Sequence, residues 1–194
     1  MKAIKICGLQ RKEDMYIINR FPITHIGFVF APSKRQVSFE QASLLKGMLR
    51  PSIQAVGVFV DEKVELIEKL VHHKVIDMVQ LHGKEDENYI KELKQRIKVP
   101  IIKAICIDQV VDQHLHYDVD YYLLDAKHPG SGKQFDWSLI PKLDKPTFLA
   151  GGICKDNIEQ AIALCDYGVD ISSGVESCGC KDKEKIKEIM EKCI

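Results

Sequence analysis

Short apolar segments rich in branched residues alternate along the chain with longer amphipathic segments. The apolar segments are almost continuously hydrophobic, as is typical of parallel strands covered on both faces. They predict eight strands, at Ala3–Cys7, His25–Phe30, Gln54–Val60, Met78–Leu81, Ile101–Ile107, Tyr121–Leu124, Thr147–Ala150 and Val169–Ile171. The amphipathic segments predict helices at Arg11–Asn19, Phe39–Leu49, Glu62–His73, Asp86–Ile97, Trp137–Leu143, Lys155–Asp166 and Lys181–Cys193.

Eight strands, each followed by a connection, are compatible with two α/β folds: an open doubly wound sheet or a closed (β/α)8 TIM barrel. Eight is the strand number of the barrel, and 194 residues are close to the lower limit of its usual size. The segment from Asp108 to Asp120 has room only for a short helix or a loop. We therefore predict a single (β/α)8 barrel domain over residues 1–194, with a reduced fifth helix.

The composition of the chain limits the kinds of molecule that the protein is expected to bind. The 28 basic and 28 acidic side chains balance, which argues against a nucleic-acid binder and gives no sign of a membrane-binding patch. Seven cysteines without framework or metal-ligand spacing favour free thiols in a reducing compartment and predict no metal site. No secretory signal is recognisable and no apolar run approaches about 20 residues, so we expect a cytoplasmic protein.

Polar side chains follow several of the predicted strands. In a (β/α)8 barrel the reactive residues lie at the C-terminal ends of the strands and in the loops behind them. Those positions hold Cys7 after the first strand, Lys34 and Arg35 after the second, Gln80 and His82 at the fourth, Asp125 at the sixth, and Asp170 and Glu176 at the eighth. Such a gathering of reactive groups at one end is not required by the fold alone.

The last two loops are the most specific local signal. Gly151 and Gly152 follow the seventh strand, and Ser172, Ser173 and Gly174 follow the eighth. Backbone amides in small, glycine-bearing loops surround the phosphate in many (β/α)8 barrels. The alternative is that these glycines only make tight turns. Because both loops are small and neighbours in the barrel, we favour a phosphate site.

Cys7 and Asp125 are predicted on opposite sides of the barrel mouth, where a ligand between them would meet a base and an acid. Such a pair suits proton transfer on a sugar, provided that the thiolate is accessible near neutral pH. Taken singly, a free cysteine is more often a core residue. Asp125 could equally cap a helix or pair with Lys133, and His82 could be a polar residue that only fills the barrel mouth.

The GSGK segment at residues 130–133 superficially suggests a nucleotide-binding P-loop. That motif requires a glycine five positions before its second glycine and a hydroxyl residue after the lysine, but Lys127 and Gln134 occupy these positions. We therefore interpret the segment as a lysine-bearing loop at the mouth.

The ordered set of motifs resembles the phosphoribosylanthranilate isomerase family of tryptophan biosynthesis. The resemblance rests on KICGL, GFVFAPSKR, VGVFV, VQLHG, LLDA with GSGKQFDW, LAGGI and GVDISSGVE, from residue 3 to about residue 188. It implies an Amadori rearrangement of a phosphosugar without cofactor or metal, in a monomer or a homodimer. By position, it implies Cys7 as general base, Asp125 as general acid, Arg35 on the anthranilate carboxylate, His82 and Asp170 in the substrate pocket, and Gly151, Gly152, Ser173 and Gly174 in the phosphate loops.

Two loops depart from the family pattern: Gln10 replaces a threonine, and His128–Pro129 replaces a glycine-rich or Tyr–Gly segment. Two other functions remain open, a phosphosugar epimerase and a catalytically silent barrel that binds a phospholigand. The proposed roles require a lowered pKa for Cys7 and a raised one for Asp125. Lys5 shares a face with Cys7 but lies one layer lower, so we expect helix-end amides and the substrate iminium, and not Lys5, to stabilise the thiolate.

Overall fold

The chain folds into a closed barrel of eight parallel strands that follow one another in sequence order, as predicted. The computed structural model describes residues 2–107, 116–126 and 136–193. The strands are β1 (Ala3–Cys7), β2 (His25–Val29), β3 (Gln54–Phe59), β4 (Met78–Leu81), β5 (Ile101–Ile107), β6 (Tyr121–Ala126), β7 (Thr147–Leu149) and β8 (Gly168–Ile171). The helices are α1 (Lys12–Ile18), α2 (Phe39–Lys46), α3 (Val64–His72), α4 (Glu87–Arg96), α5 (Ile158–Leu164) and α6 (Lys183–Cys193).

Two apolar cores hold the barrel together. The inner one fills the barrel with side chains from alternate strand positions, among them Val56, Met78, Ile102, Leu123 and Phe148. The larger one lies between the strands and the surrounding helices. Both faces of each strand are therefore buried, which explains the continuous apolar segments in the sequence. Among the described residues, no helix is long and apolar enough to cross a membrane.

Several of the predicted helices are wrong in extent. Helix α2 ends at Lys46 and not at Leu49, and α5 spans Ile158–Leu164 and not Lys155–Asp166. The segment Trp137–Leu143 forms only a short 3-10 turn, Trp137–Leu139, because Pro141 has no amide to donate and forces Ile140 into an extended conformation. Helix α6 begins at Lys183 and not at Lys181. The predicted reduction of the fifth helix concerns residues 108–120, of which 108–115 lie outside the described residues. The GSGK loop, within residues 127–135, also lies outside them.

A small hairpin replaces the predicted start of the last helix. Strands β9 (Glu176–Ser177) and β10 (Cys180–Lys181) pair antiparallel around the two-residue turn Cys178–Gly179. Both turn residues have positive φ, 51° and 76°, which is the geometry of a type I′ turn and accounts for the glycine. The hairpin carries Glu176 and Lys181 back over the end of β1.

Pairing of β1 with β8 closes the barrel. The register aligns Ala3 with Gly168, Lys5 with Asp170 and Ile6 with Ile171. A Cβ atom at Gly168 would overlap the carbonyl oxygen of Ala3, so only glycine lets the two strands approach at this point. The closure brings the C-terminal end of β1 next to that of β8.

An aromatic cluster closes the N-terminal end of the barrel. The His25 ring is buried edge-on against Phe148 and Tyr167, and its Nδ1 lies 2.7 Å from the Thr24 hydroxyl. Burial, together with the positive charge of Lys5, lowers the pKa of His25 to about 4. The imidazole is therefore neutral in the folded protein at neutral pH.

Acidification is expected to destabilise the fold through His25. The unfolded histidine takes up a proton near pH 6.5 and the folded one only near pH 4, so stability falls as the pH drops through this window. By pH 4.5 the loss from this group is roughly 2 to 3 kcal/mol. Urea unfolding at pH 7 and pH 4.5 should show a smaller acid loss in His25→Gln than in the wild type. The exposed-site control His72→Gln should retain the wild-type loss; equal losses in all three proteins would contradict the prediction.

Candidate active site

A cavity of about 390 Å³ opens at the C-terminal end of the barrel. Its wall contains most of the predicted site residues: Cys7, Arg35, His82, Asp125, Gly151, Gly152, Asp170 and Ser173. Gly174, the remaining one, is not part of this wall. Strands β1 and β6 are separated around the barrel by β7 and β8, so the two glycine-bearing loops lie between Cys7 and Asp125 on the shorter arc.

Cys7 is the last residue of β1, and its thiol is buried in the cavity wall. It lies beside Gly27 of β2, where a Cβ atom would be 2.5 Å from the thiol sulfur. Gly27 therefore provides the space that the thiol occupies. On the other side, the Ser172 hydroxyl donates to the Cys7 carbonyl oxygen at 3.1 Å and ties the end of β1 to the loop after β8.

Opposing effects act on the pKa of Cys7. Burial is the largest and raises it, and the negative charge of Asp170 acts in the same direction. The positive charges of Lys5 and Lys181 lower it, as does a hydrogen bond between Lys5 and the thiol. The net shift of the pKa is upward, so the thiol holds its proton, contrary to the lowered pKa that the sequence led us to expect.

Asp125 and His82 form a pair in the wall. Asp125 belongs to β6, and one of its carboxylate oxygens accepts from the Ala126 amide at 2.8 Å. The other oxygen lies 3.4 Å from Nε2 of His82. The Gln80 amide group lies 2.8 Å from Nδ1 of the same imidazole; when the ring is charged, Nδ1 donates and the amide oxygen of Gln80 accepts. Both nitrogens of His82 thus face protein groups of the site.

His82 has a displaced pKa. Burial disfavours the imidazolium, but contacts with Asp125 and Cys106 outweigh it and raise the pKa to about 9. At neutral pH the ring is therefore a cation beside the Asp125 carboxylate. The pair can hold one proton at the wall of the cavity, within reach of a ligand.

Arg35 is held by a buried carboxylate. Its Nε and one terminal nitrogen each donate to Glu176 at 2.8 Å, a bidentate arrangement. Lys181 also donates to Glu176, at 2.7 Å. Although burial alone would raise the pKa of Glu176, hydrogen bonds from Arg35 and Lys181 lower it to about 2. A side chain at Gly8 would overlap the Arg35 stem, so the glycine after Cys7 permits this course of the arginine.

Gln10, a departure from the family pattern, stabilises the loop that carries Arg35. Its side-chain amide donates to the carbonyl oxygens of Lys34 at 3.1 Å and Gln36 at 3.3 Å. The backbone carbonyl oxygen of Gln10 accepts a hydrogen bond from the Gln41 side chain at 2.6 Å. The glutamine thus joins the loop after β1 to the loop after β2. The other departure, at His128–Pro129, lies outside the described residues.

The two glycine-bearing loops adopt different structures. Gly151 and Gly152 both have positive φ, 86° and 67°, and Asn157 holds their loop by donating to the Gly152 carbonyl at 3.1 Å. Ser173 begins the short turn after β8. Gly174 packs against the backbone of Ile153, and a Cβ atom there would overlap the Ile153 carbonyl oxygen. Gly174 therefore brings the two loops into contact.

Sequence reasoning missed three partners of the predicted residues. Lys5 was considered too deep to act on Cys7, yet its ammonium group interacts with the thiol. Lys181 was assigned to a helix, although it joins the ion-pair cluster of Arg35 and Glu176. Only Gly27 had a local signal, as the glycine inside an otherwise apolar strand. Within the described ranges, no group of three or more His, Cys, Asp or Glu side chains could hold a metal ion.

Comparison with known proteins agrees with this geometry. Residues 4–192 match the family model of N-(5'phosphoribosyl)anthranilate (PRA) isomerase. A curated relative from Endomicrobium trichonymphae, named N-(5'-phosphoribosyl)anthranilate isomerase, is 45% identical, with 98% of each chain covered. The crystal structure of phosphoribosyl anthranilate isomerase from Thermus thermophilus has a TM-score of 0.91 and 32% identity over 98% of both chains. A phosphoribosyl anthranilate isomerase in complex with reduced 1-(o-carboxyphenylamino)-1-deoxyribulose 5-phosphate has a TM-score of 0.82 and 31% identity, over 99% of this chain and 98% of that one. This chain belongs to the phosphoribosylanthranilate isomerase family.

Proposed function

We propose that this protein converts N-(5-phosphoribosyl)anthranilate into 1-(2-carboxyphenylamino)-1-deoxyribulose 5-phosphate, an Amadori rearrangement in tryptophan biosynthesis. The observation that carries the proposal is the arrangement of one cavity: Cys7 and the pair Asp125–His82 line its wall, together with Arg35 and the loops after β7 and β8. A base, an acid and two sites for anions are what this substrate requires. The reaction needs no cofactor or metal.

The reaction begins at the furanose ring. The acid, Asp125, gives a proton to the ring oxygen, the bond from C1′ to that oxygen breaks, and the nitrogen lone pair forms an iminium. Cys7 loses its own proton to water and, as thiolate, then removes the proton from C2′, which gives an enolamine. Protonation at C1′ and loss of the C2′ hydroxyl proton complete the ketone. Proton transfer by positioned groups of this kind contributes about 10²- to 10⁴-fold each.

His82 supplies the proton that Asp125 must deliver. At neutral pH the imidazolium lies 3.4 Å from the carboxylate, so the pair already contains the proton. As negative charge develops on the ring oxygen, transfer from the imidazolium through Asp125 becomes favourable. The pair thus holds the proton that ring opening requires.

The two anionic ends of the substrate determine its orientation. Arg35 is positioned for the anthranilate carboxylate, and its planar guanidinium favours two parallel hydrogen bonds. The phosphate binds at the loops of Gly151, Gly152 and Ser173, which leave backbone amides close to the cavity. Gly174 contributes by holding these loops together. A monomer and a homodimer are both compatible with this site, which one chain completes, and we propose that the protein acts in the cytoplasm.

The acid and base roles predict that Cys7→Ser and Asp125→Asn each abolish isomerisation. Both replacements keep the shape of the side chain and remove the group that transfers the proton. The assay follows the loss of substrate fluorescence with freshly made phosphoribosylanthranilate and no added metal. Binding of the reduced product analogue by calorimetry serves as control and should be retained. Full activity in either variant would contradict the assigned roles, and turnover of a ribulose phosphate instead would indicate an epimerase.

We expect the activity to fall as the pH increases through about 9, because His82 then loses its proton. Its imidazolium is present below its raised pKa and is lost as the pH increases through about 9, so kcat/KM should fall there. The variant His82→Gln lacks the imidazolium that holds this proton. Its kcat/KM at pH 7 should drop about 10- to 100-fold, and the fall in activity at high pH should begin at a lower pH. The control His116→Gln breaks an exposed histidine–aspartate pair with Asp144 and should leave the profile unchanged. An unaltered dependence of kcat/KM on pH in His82→Gln would show that His82 does not supply the proton.

Substituting Arg35 with lysine should weaken substrate binding more than turnover. Lysine retains the charge but loses the bidentate geometry, which corresponds to about a 10- to 100-fold increase in KM. The kinetic split between KM and kcat is the measurement, and thermal unfolding checks that the loop remains folded. An unchanged KM would show that Arg35 serves only its partner Glu176.

A further inference from the structure

Lys5 is a buried cation with no assigned role. Its side chain is completely buried, and its ammonium group donates to one carboxylate oxygen of Asp170 at 2.8 Å. The two residues occupy paired positions on β1 and β8. Ala3, Leu123 and Phe148 of the inner core are apolar, so the Lys5–Asp170 pair lies next to an apolar interior.

Stability alone does not explain this ion pair. Removing two charges from water is unfavourable, and a buried pair is often no more stable than apolar residues of the same volume. A lysine inside a barrel core therefore requires another explanation. The position of Lys5 suggests one, because side chains two residues apart on a strand point to the same face. Cys7 is the next inward residue, directly above Lys5.

We propose that Lys5 is a positioning residue that stabilises the thiolate of Cys7 and so makes the thiol a usable base. The proposal rests on the proposed function, in which Cys7 removes the C2′ proton. Lys5 acts from below, on the side away from the substrate, where water does not screen its charge. The positive charge of the ammonium group lowers the pKa of the thiol, and the thiolate in turn favours the charged lysine.

Charged groups reach Cys7 from every element packed around it. Lys5 lies on its own strand, Asp170 on β8, Lys181 on β10 and Arg35 in the loop after β2, while Glu176 holds the last two. Three cations and two carboxylates leave one net positive charge near the thiol. Arg35 and Lys181 share Glu176 between them, whereas Lys5 pairs with Asp170 and lies on the same face of β1 as the thiol.

Asp170 limits this effect through its own negative charge. Only one of its carboxylate oxygens contacts Lys5; the other is buried without a hydrogen-bond partner among the described residues. Because Asp170 also lines the cavity, a hydroxyl or amine of the substrate can donate to that oxygen. Such a contact would weaken the field of Asp170 at the thiol and leave the charge of Lys5 more effective.

The test measures the ionisation of Cys7 without substrate. The rate of iodoacetamide alkylation is followed from pH 6 to pH 10, and mass spectrometry of the peptide that contains Cys7 separates it from the other cysteines. In Lys5→Met the apparent pKa of Cys7 should increase by at least about one unit, which corresponds to about tenfold less thiolate on the acid side. The acid limb of kcat/KM for isomerisation should shift in the same direction.

Two further variants separate the charge of Lys5 from its packing. Lys103→Met removes another buried lysine, which pairs with Glu85 at 2.7 Å on the outer face of β5; it should reduce stability but leave the titration of Cys7 unchanged. The double variant Lys5→Met/Asp170→Asn removes both charges, avoids an unpaired carboxylate and carries the test if the single variant does not fold. In this double variant the pKa of Cys7 should lie above the wild-type value, but by less than in Lys5→Met.

Three results would overturn the proposal: an unaltered titration in folded Lys5→Met, a return to the wild-type value in the double variant, or an equal shift in Lys103→Met. The readout does not depend on turnover. A wild-type protein without isomerase activity would therefore contradict the proposed function, while the titration of Cys7 would still test Lys5.

Discussion

The parallel pairing of β1 with β8 determines both the closure of the barrel and the composition of its mouth. Gly168 allows the close approach of the two strands, and the resulting register places Lys5 opposite Asp170. The same pairing brings Ser172 into hydrogen-bonding distance of the Cys7 backbone. Without this closure, β1 would be an edge strand and its lysine and cysteine would have neither their carboxylate partner nor their apolar surroundings.

Ion pairs are the means by which this cavity is both charged and rigid. Each buried cation at the mouth faces a carboxylate: Lys5 pairs with Asp170, Arg35 and Lys181 share Glu176, and His82 faces Asp125. Isolated charges would be strongly unfavourable at this depth, but paired and hydrogen-bonded ones are tolerated. Each pair also holds its two side chains in place, because a side chain that moved away would leave its partner as an unpaired buried charge. In the proposed reaction, the two anionic ends of the substrate thus meet preoriented cations.

The protons of the site are held by groups that suit the proposed reaction. Burial keeps the thiol of Cys7 protonated, while the contacts of His82 keep its ring charged. Ring opening then produces a positive iminium within the cavity, and its charge adds to that of Lys5 in favour of the thiolate. In this mechanism, the base becomes effective when the intermediate that it must deprotonate has formed.

The sequence by itself determined the eight strands, the barrel and the positions of Cys7, Arg35, His82 and Asp125 at its mouth. These follow from local pattern, since a strand buried on both faces is continuously apolar and its polar end marks the rim. The tertiary structure decided which charges meet. Lys5 and Lys181 owe their roles to partners that are distant in the chain or carried by a hairpin that the sequence pattern did not reveal, and Gly174 owes its role to the contact between two loops. The periodicity of apolar positions in the sequence indicates whether a residue is buried. The electrostatic field at a buried thiol, in contrast, depends on every charge that the closed barrel brings around it.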